Sequence, residues 1–109
     1  MKRFHIAIAT HDIDATVTDY SHRLGAAPCV VIPGEYALWR TDRLNFSVRQ
    51  VPQGQPGELR HLGWEDDAAA AFTTDIDCNG LLWESFAAHH QTAEINELWP
   101  ETDRPDSAP

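Results

Sequence analysis

Two histidines and one glutamate are the residues of this 109-residue chain that could carry out chemistry together. His5, His61 and Glu84 fall on three separate predicted strands. Two imidazoles and one carboxylate presented from a rigid sheet could occupy one face of a metal octahedron and leave positions open for substrate, oxygen or water. The spacing alone also permits a plainer interpretation, in which two half-buried histidines and an exposed strand carboxylate have no common role.

A strand and a helix have to position the first of these histidines. Residues 4–9 alternate between large apolar side chains on one face and His5 with small residues such as Ala7 on the other, which is the period of a half-buried strand. An amphipathic helix follows, with Asp12 as its N-cap and Gly25 at its end. An imidazole that shares its face with small residues would have space beside it.

Three further strands complete the first half of the chain. Residues 29–32 form a β-branched run bounded by proline and glycine. Residues 36–40 and 44–51 follow, and the turn formers between them, at 41–42, are typical of a hairpin. The sequence therefore predicts a βαβββ module over residues 1–51.

A linker and a repeat separate the two halves. Residues 52–58 contain two prolines and two glycines, which cannot sustain a helix or a strand ladder. The strand pattern after the linker has the order His, apolar, small at His61 to Gly63, as at His5 to Ala7. This weak repeat, 56 residues apart, favours a duplicated module.

The second module, residues 59–86, is predicted to be abbreviated. Residues 66–72 are too short for a second packing helix, and 75–79 carry the turn formers that precede a hairpin. Residues 81–86 form the strand that carries Glu84.

A helix is predicted at the end of the domain. Residues 87–99 contain good helix formers and stop before Pro100. The polar residues 100–109 are predicted to be a disordered tail. We therefore expect a single domain over residues 1–99.

The composition limits the partners and the compartment. Eight basic against seventeen acidic residues give a formal charge of −9, which opposes binding to nucleic acid or anionic membranes. Without a spanning apolar run or a signal-peptide core, a cytoplasmic protein with reduced Cys29 and Cys78 is expected. Arg40 and Arg49 could steer an acidic substrate or simply compensate the acidic surface.

The sequence resembles the vicinal oxygen chelate superfamily, which includes glyoxalases, bleomycin-resistance proteins and extradiol dioxygenases. The resemblance runs from about Phe4 to Phe86 and is most similar to the cadmium-inducible and organoarsenical-lyase branch. It rests on three segments in the family's order: His5-Ile6-Ala7-Ile8-Ala9 with the helix up to Leu24-Gly25 and Pro28, then Arg60-His61-Leu62-Gly63-Trp64, then Gly80-Leu81-Leu82-Trp83-Glu84.

This resemblance implies a metal site and assigns roles to individual residues. His5, His61 and Glu84 would be ligands of a divalent metal, with iron, manganese, nickel and zinc all compatible. Glu65 is the candidate general base, with an exposed salt bridge as the alternative. Asn45, on the strand where some members place another carboxylate ligand, is the candidate for hydrogen bonding to substrate, with a structural role as the alternative.

The short second module implies a partner. Only 22 residues separate His61 from Glu84, where the family has a helix and two strands. The metal cup would therefore be incomplete in one chain, and a homodimer, with the C-terminal helix exchanged across it, is the expected remedy. The chain also lacks the adjacent-cysteine loop expected for arsenic binding.

The function expected from these residues is that of a metal-dependent lyase or dioxygenase acting on a small oxygen-bearing molecule. Two alternatives stay open: a metal-free, resistance-type protein that binds a small molecule in a dimer groove, and a dimerisation module without catalysis. The sequence determines neither the substrate nor the metal.

Overall fold

Seven strands and two helices make up the fold in the computed structural model, which describes residues 1–100. The chain is α+β, as the sequence predicts, and the predicted tail lies outside the described residues except for Pro100. Neither helix in the described part is long and apolar enough to span a membrane. In chain order the elements are β1 (Lys2–Thr10), α1 (Ile13–Leu24), β2 (Val30–Ile32), β3 (Tyr36–Arg40), β4 (Leu44–Gln50), β5 (Leu59–Asp66), β6 (Thr73–Ile76), β7 (Leu82–Phe86) and α2 (Ala88–Leu98).

One mixed sheet contains all seven strands, in the order β2-β3-β4-β1-β5-β7-β6. The central strand β1 runs parallel to β4 and antiparallel to β5. In each half of the chain the last strand lies parallel to the first and antiparallel to the strand before it. The two halves therefore share one pairing pattern about the β1–β5 junction, with one helix and one strand fewer in the second half.

Helix α1 covers one face of the first half. Asp12 caps its N-terminus, and Gly25 ends it in the left-handed conformation with φ 66°, which glycine adopts without steric cost. Ile13 is buried against Ala37 and Trp39 of β3 and against β4. This packing fixes which face of the first half is apolar.

Helix α2 covers the opposite face. Ile95 packs against Tyr36 and Leu38 of β3, whose side chains alternate with those that α1 covers. All five residues of β3 are consequently buried. The face under α2 is the one that carries His5 and the polar side chains described below.

Strand β6 was not predicted from the sequence. Asp75 and Ile76, expected in a turn, end β6, and the turn follows at residues 77–80. Every residue of β6 is exposed, so no apolar alternation marks it, and antiparallel pairing with β7 is what forms it. The expectation that residues 66–72 form no helix is confirmed.

The N-cap of α1 provides a test of the helix. The Asp12 carboxylate accepts a hydrogen bond from the Ala15 N–H at 3.1 Å. We expect Asp12→Ala to lower the free energy of unfolding by about 1 kcal/mol, measured by urea denaturation. The control is Asp42→Ala, because Asp42 is exposed and its side chain forms no hydrogen bond to the rest of residues 1–100. An equal loss of unfolding free energy in both variants would contradict the role of Asp12 as the N-cap of α1.

Candidate metal centre

The two histidines face each other because β1 and β5 pair in one particular register. His5 lies opposite Gly63, and His61 lies opposite Ala7. Paired residues project from the same face of a sheet, so each imidazole stands beside a residue with little or no side chain. The repeated order His, apolar, small thus gives each ring its space on the partner strand.

Glu84 completes the group from β7. It pairs with Gly63, so His5, Gly63 and Glu84 form one row across three adjacent strands. The Nε2 atoms of His5 and His61 are 3.0 Å apart. The Glu84 Oε1 atom lies 3.0 Å from Nε2 of His61 and 3.6 Å from Nε2 of His5. The structure therefore brings together all three predicted ligands, with their ligand atoms within 4.8 Å of one another.

Gly63 allows β5 and β7 to approach closely at the centre of this row. A Cβ atom at position 63 would collide with the main-chain carbonyl of Glu84 and lie 2.9 Å from its carbonyl carbon. The requirement for glycine here comes from this contact and not from a positive φ angle.

Asn45 determines which nitrogen of His5 carries the proton. The Asn45 Nδ2 group donates to Oε1 of Glu65 and Oε1 of Gln91, both at 2.8 Å, so its Oδ1 is left to accept. Nδ1 of His5 therefore donates to Asn45 Oδ1 at 2.8 Å, and Nε2 presents a lone pair to the other two ligands. Burial lowers the pKa of His5, which favours the neutral form that binds metals.

Asn45 itself does not line the cavity over the site. Its side chain is fully buried, and its amide is used by His5, Glu65 and Gln91. The expected hydrogen bond from Asn45 to substrate has no support in this placement. Its contacts are those of the structural alternative, in which Asn45 orients the His5 ring.

Glu65, the expected general base, lies in a buried ion-pair network. Its carboxylate accepts hydrogen bonds from Arg3 and Arg40, both at 2.7 Å, and from Asn45, and only 1% of the residue is exposed. Burial alone would raise the pKa of Glu65, but the hydrogen bonds from Asn45 and Arg40 lower it overall. The alternative of an exposed salt bridge is therefore corrected to a buried one, which holds the carboxylate ionised.

The donor set fits a divalent cation. The His5 Nε2 atom is an acceptor, and a proton on His61 Nε2 can form one linear hydrogen bond, either to His5 or to Glu84. Within residues 1–100, either His5 Nε2 or Glu84 Oε1 is therefore left without this hydrogen bond. A metal ion would satisfy all three ligand atoms, and two imidazoles with one carboxylate suit iron, manganese, nickel or zinc.

Only one carboxylate belongs to this set. Ser47 pairs with Ala7 across β1 and β4, as Glu84 pairs with Gly63 across β5 and β7. Ser47, and not Asn45, therefore occupies the position in the first half that corresponds to Glu84 in the second half. At the position that corresponds to Glu84, the first half of the chain therefore has a hydroxyl group and no carboxylate.

A cavity of about 460 Å³ opens over the three ligands, between the sheet and α2. Besides the ligands, its charged lining residues include Arg49, Arg60 and Glu94. Sequence reasoning missed Glu94, although its place three residues after the buried Gln91 puts it beside the packed stripe of α2. Burial, and then the charge of Glu84, raise the pKa of Glu94.

No family model matches this sequence, and no curated protein matches it. The crystal structure of NAD-dependent benzaldehyde dehydrogenase from Legionella pneumophila is similar, with a TM-score of 0.55 and 7% sequence identity. The similarity covers 77% of this chain and 97% of that chain. At this identity it concerns the fold and not the reaction.

Gly63 gives a test of how the site is built. Gly63→Ala forces β5 and β7 apart, so we expect a loss of about 1–3 kcal/mol in unfolding free energy and loss of zinc binding, measured by urea denaturation and calorimetric titration. Val48→Ala is the control, because it removes packing on the opposite face, beside α1. Equal zinc affinity in Gly63→Ala and the native chain would contradict this account.

The Glu65 network predicts a pH dependence of stability. Because the pKa of Glu65 is lower in the folded state, its carboxylate contributes fully to the stability of the fold above the unfolded-state pKa of about 4.3. This stabilisation is lost as the pH falls through the lowered folded-state pKa. We expect Glu65→Gln to lower the free energy of unfolding by about 3–5 kcal/mol at pH 7. The variant should also lose less stability than the native chain as the pH falls from 7 to 3, measured by urea denaturation at each pH. The exposed Glu35→Gln should do neither.

Proposed function

We propose that this protein is a metal-dependent enzyme, a lyase or a dioxygenase, that acts on a small molecule with two neighbouring oxygens. His5, His61 and Glu84 would hold one iron, manganese, nickel or zinc ion. The convergence of their three ligand atoms over one face of the sheet carries the proposal. The cavity above them has the size of a small-molecule site.

The metal would act as a Lewis acid on the substrate oxygens or, as iron, activate dioxygen. The chain's own residues prepare the site for it. Asn45 keeps the proton of His5 on Nδ1, so Nε2 stays free to bind. Phe86, whose ring is nearly perpendicular to that of His5 at a centroid distance of 5.0 Å, packs against the His5 ring and restricts its rotation.

Glu94 is the carboxyl group that could move a proton. It lines the cavity, whereas Glu65 is held between two arginines below it. A raised pKa brings a carboxyl group closer to the pH at which a general acid or base works efficiently. In the lyase reaction, Glu94 would accept a proton from the carbon next to the bound oxygens.

We further propose that the chain has a glyoxalase-like fold and forms a homodimer. The shared pairing pattern of the two halves supports a glyoxalase-like arrangement with an abbreviated second module. No second-half helix covers the face that carries Phe4, Trp64 and Trp83 in the described part, and 39% of Trp64 is exposed. A homodimer would cover such a face.

The site predicts metal binding that depends on each ligand. We expect the native chain to bind about one zinc or manganese ion, and His61→Ala and Glu84→Ala to bind at least about 100-fold more weakly, measured by elemental analysis and calorimetric titration. Asn45→Ala should weaken metal affinity by about 10- to 100-fold, because it frees the His5 ring to rotate and to carry its proton on the other nitrogen.

Two matched substitutions serve as controls for this measurement. His89 and Glu35 are exposed residues of the same types, away from the cavity. His89→Ala and Glu35→Ala should bind metal as the native chain does. Equal binding in all five variants and the native chain would remove the site, and failure of the native chain to bind any of the four metals would favour the metal-free alternatives.

A further inference from the structure

Two arginines line the cavity beside the metal site. Arg49 comes from β4 and Arg60 from β5, on either side of β1. A bulge in the β1–β5 ladder accounts for Arg60: Ala7 pairs with His61 but Ile8 pairs with Leu59, which leaves Arg60 without a partner on β1. A bulge redirects a side chain, and here the side chain of Arg60 lines the same cavity as that of His61.

Arg49 is held in place without using its hydrogen-bond donors. Its guanidinium lies over the ring of Trp99, at 5.4 Å from the centroid, in a cation–π contact. Within residues 1–100 its side chain forms no hydrogen bond and no ion pair. Its planar set of N–H donors is therefore available to a ligand.

Arg60 is held next to a like charge. Arg60 is half-buried and lines the same cavity as Arg49. Arg60, too, forms no hydrogen bond or ion pair with the part of the chain that the structure describes. A half-buried guanidinium beside a second one carries an energetic cost that an anion between them would offset.

The carboxylates of Glu84 and Glu94 attract Arg60, and that of Glu94 attracts Arg49, but within residues 1–100 none of them forms an ion pair with either arginine. Glu84 belongs to the metal group, where its Oε1 atom is 3.0 Å from His61. Glu94 and Glu97 of α2 also line the cavity, but neither comes within 4.0 Å of a guanidinium nitrogen of Arg49 or Arg60. Among residues 1–100, the N–H donors of both guanidinium groups are therefore available to an anionic ligand.

We propose that Arg49 and Arg60 form a carboxylate-binding subsite, so that the substrate is an acid held by the metal at its two neighbouring oxygens and by this pair at its carboxylate. This inference rests on the proposed function for the metal end. Guanidinium groups match the planar carboxylate and bind it with two parallel hydrogen bonds. Lysine at either position would keep the charge but lose that geometry.

The test compares an acid with its neutral amide. The zinc-loaded chain is titrated calorimetrically with 3,4-dihydroxybenzoate and with 3,4-dihydroxybenzamide, which share the two neighbouring oxygens and differ in charge. We expect the acid to bind about 10- to 100-fold more tightly. Arg60→Gln, and the double variant with Arg49→Gln, should remove this preference while amide affinity and zinc content stay unchanged.

Two further measurements separate the possible failures. Arg43→Gln, at an exposed arginine of the β3–β4 turn, makes the same change of net charge and should keep the preference. The metal-free chain is titrated with benzoate and benzamide by NMR, where benzoate alone should shift the side-chain N–H signals of Arg49 and Arg60.

Each outcome bears on one of the two proposals. Equal binding of acid and amide to the native chain, or a preference that survives in the double variant, overturns the carboxylate subsite. If zinc does not bind, the proposed function fails and the metal-free titration decides alone: a benzoate-specific shift supports the arginine pair, and its absence overturns it.

Discussion

The antiparallel pairing of β1 with β5 is the constraint on which the rest of the site depends. Each of the two histidines lies opposite a small residue of the other strand, His5 opposite Gly63 and His61 opposite Ala7. A shift of the register by one residue would turn every side chain of one strand to the other face. The pairing also places Gly63 between His5 and Glu84, so the same ladder determines both the facing rings and the space for the carboxylate.

A network of buried polar side chains beneath the cavity connects several elements of the fold. Glu65 receives hydrogen bonds from Arg3 and Arg40, and through Asn45 the same network reaches both His5 and α2. Removing one charge from such a layer leaves the others buried and unpaired, which is why networks of this kind resist piecemeal change. The network therefore connects α2, which forms one wall of the cavity, to the His5 ring through hydrogen bonds.

Local patterns predicted most of the fold and the three-residue group, whereas contacts between distant segments were beyond them. Caps and alternation gave α1, the β3–β4 hairpin and the face that carries His5. Strand β6 has no buried side chain and hence no pattern. The partners of Glu65 come from 62 and 25 residues away, which periodicity does not report. The turn of Arg60 into the cavity arises from a bulge, which depends on the pairing of two strands and not on either sequence alone.

The order His, apolar, small occurs on both central strands, β1 and β5. The small residue of each copy lies opposite the histidine of the other copy and leaves space for its ring. A single module with one such strand could pair with a second copy of itself about a two-fold axis, and both imidazoles would already face each other. The present asymmetry, with Glu84 in one half and Ser47 in the corresponding place of the other, is what a gene duplication followed by divergence would leave.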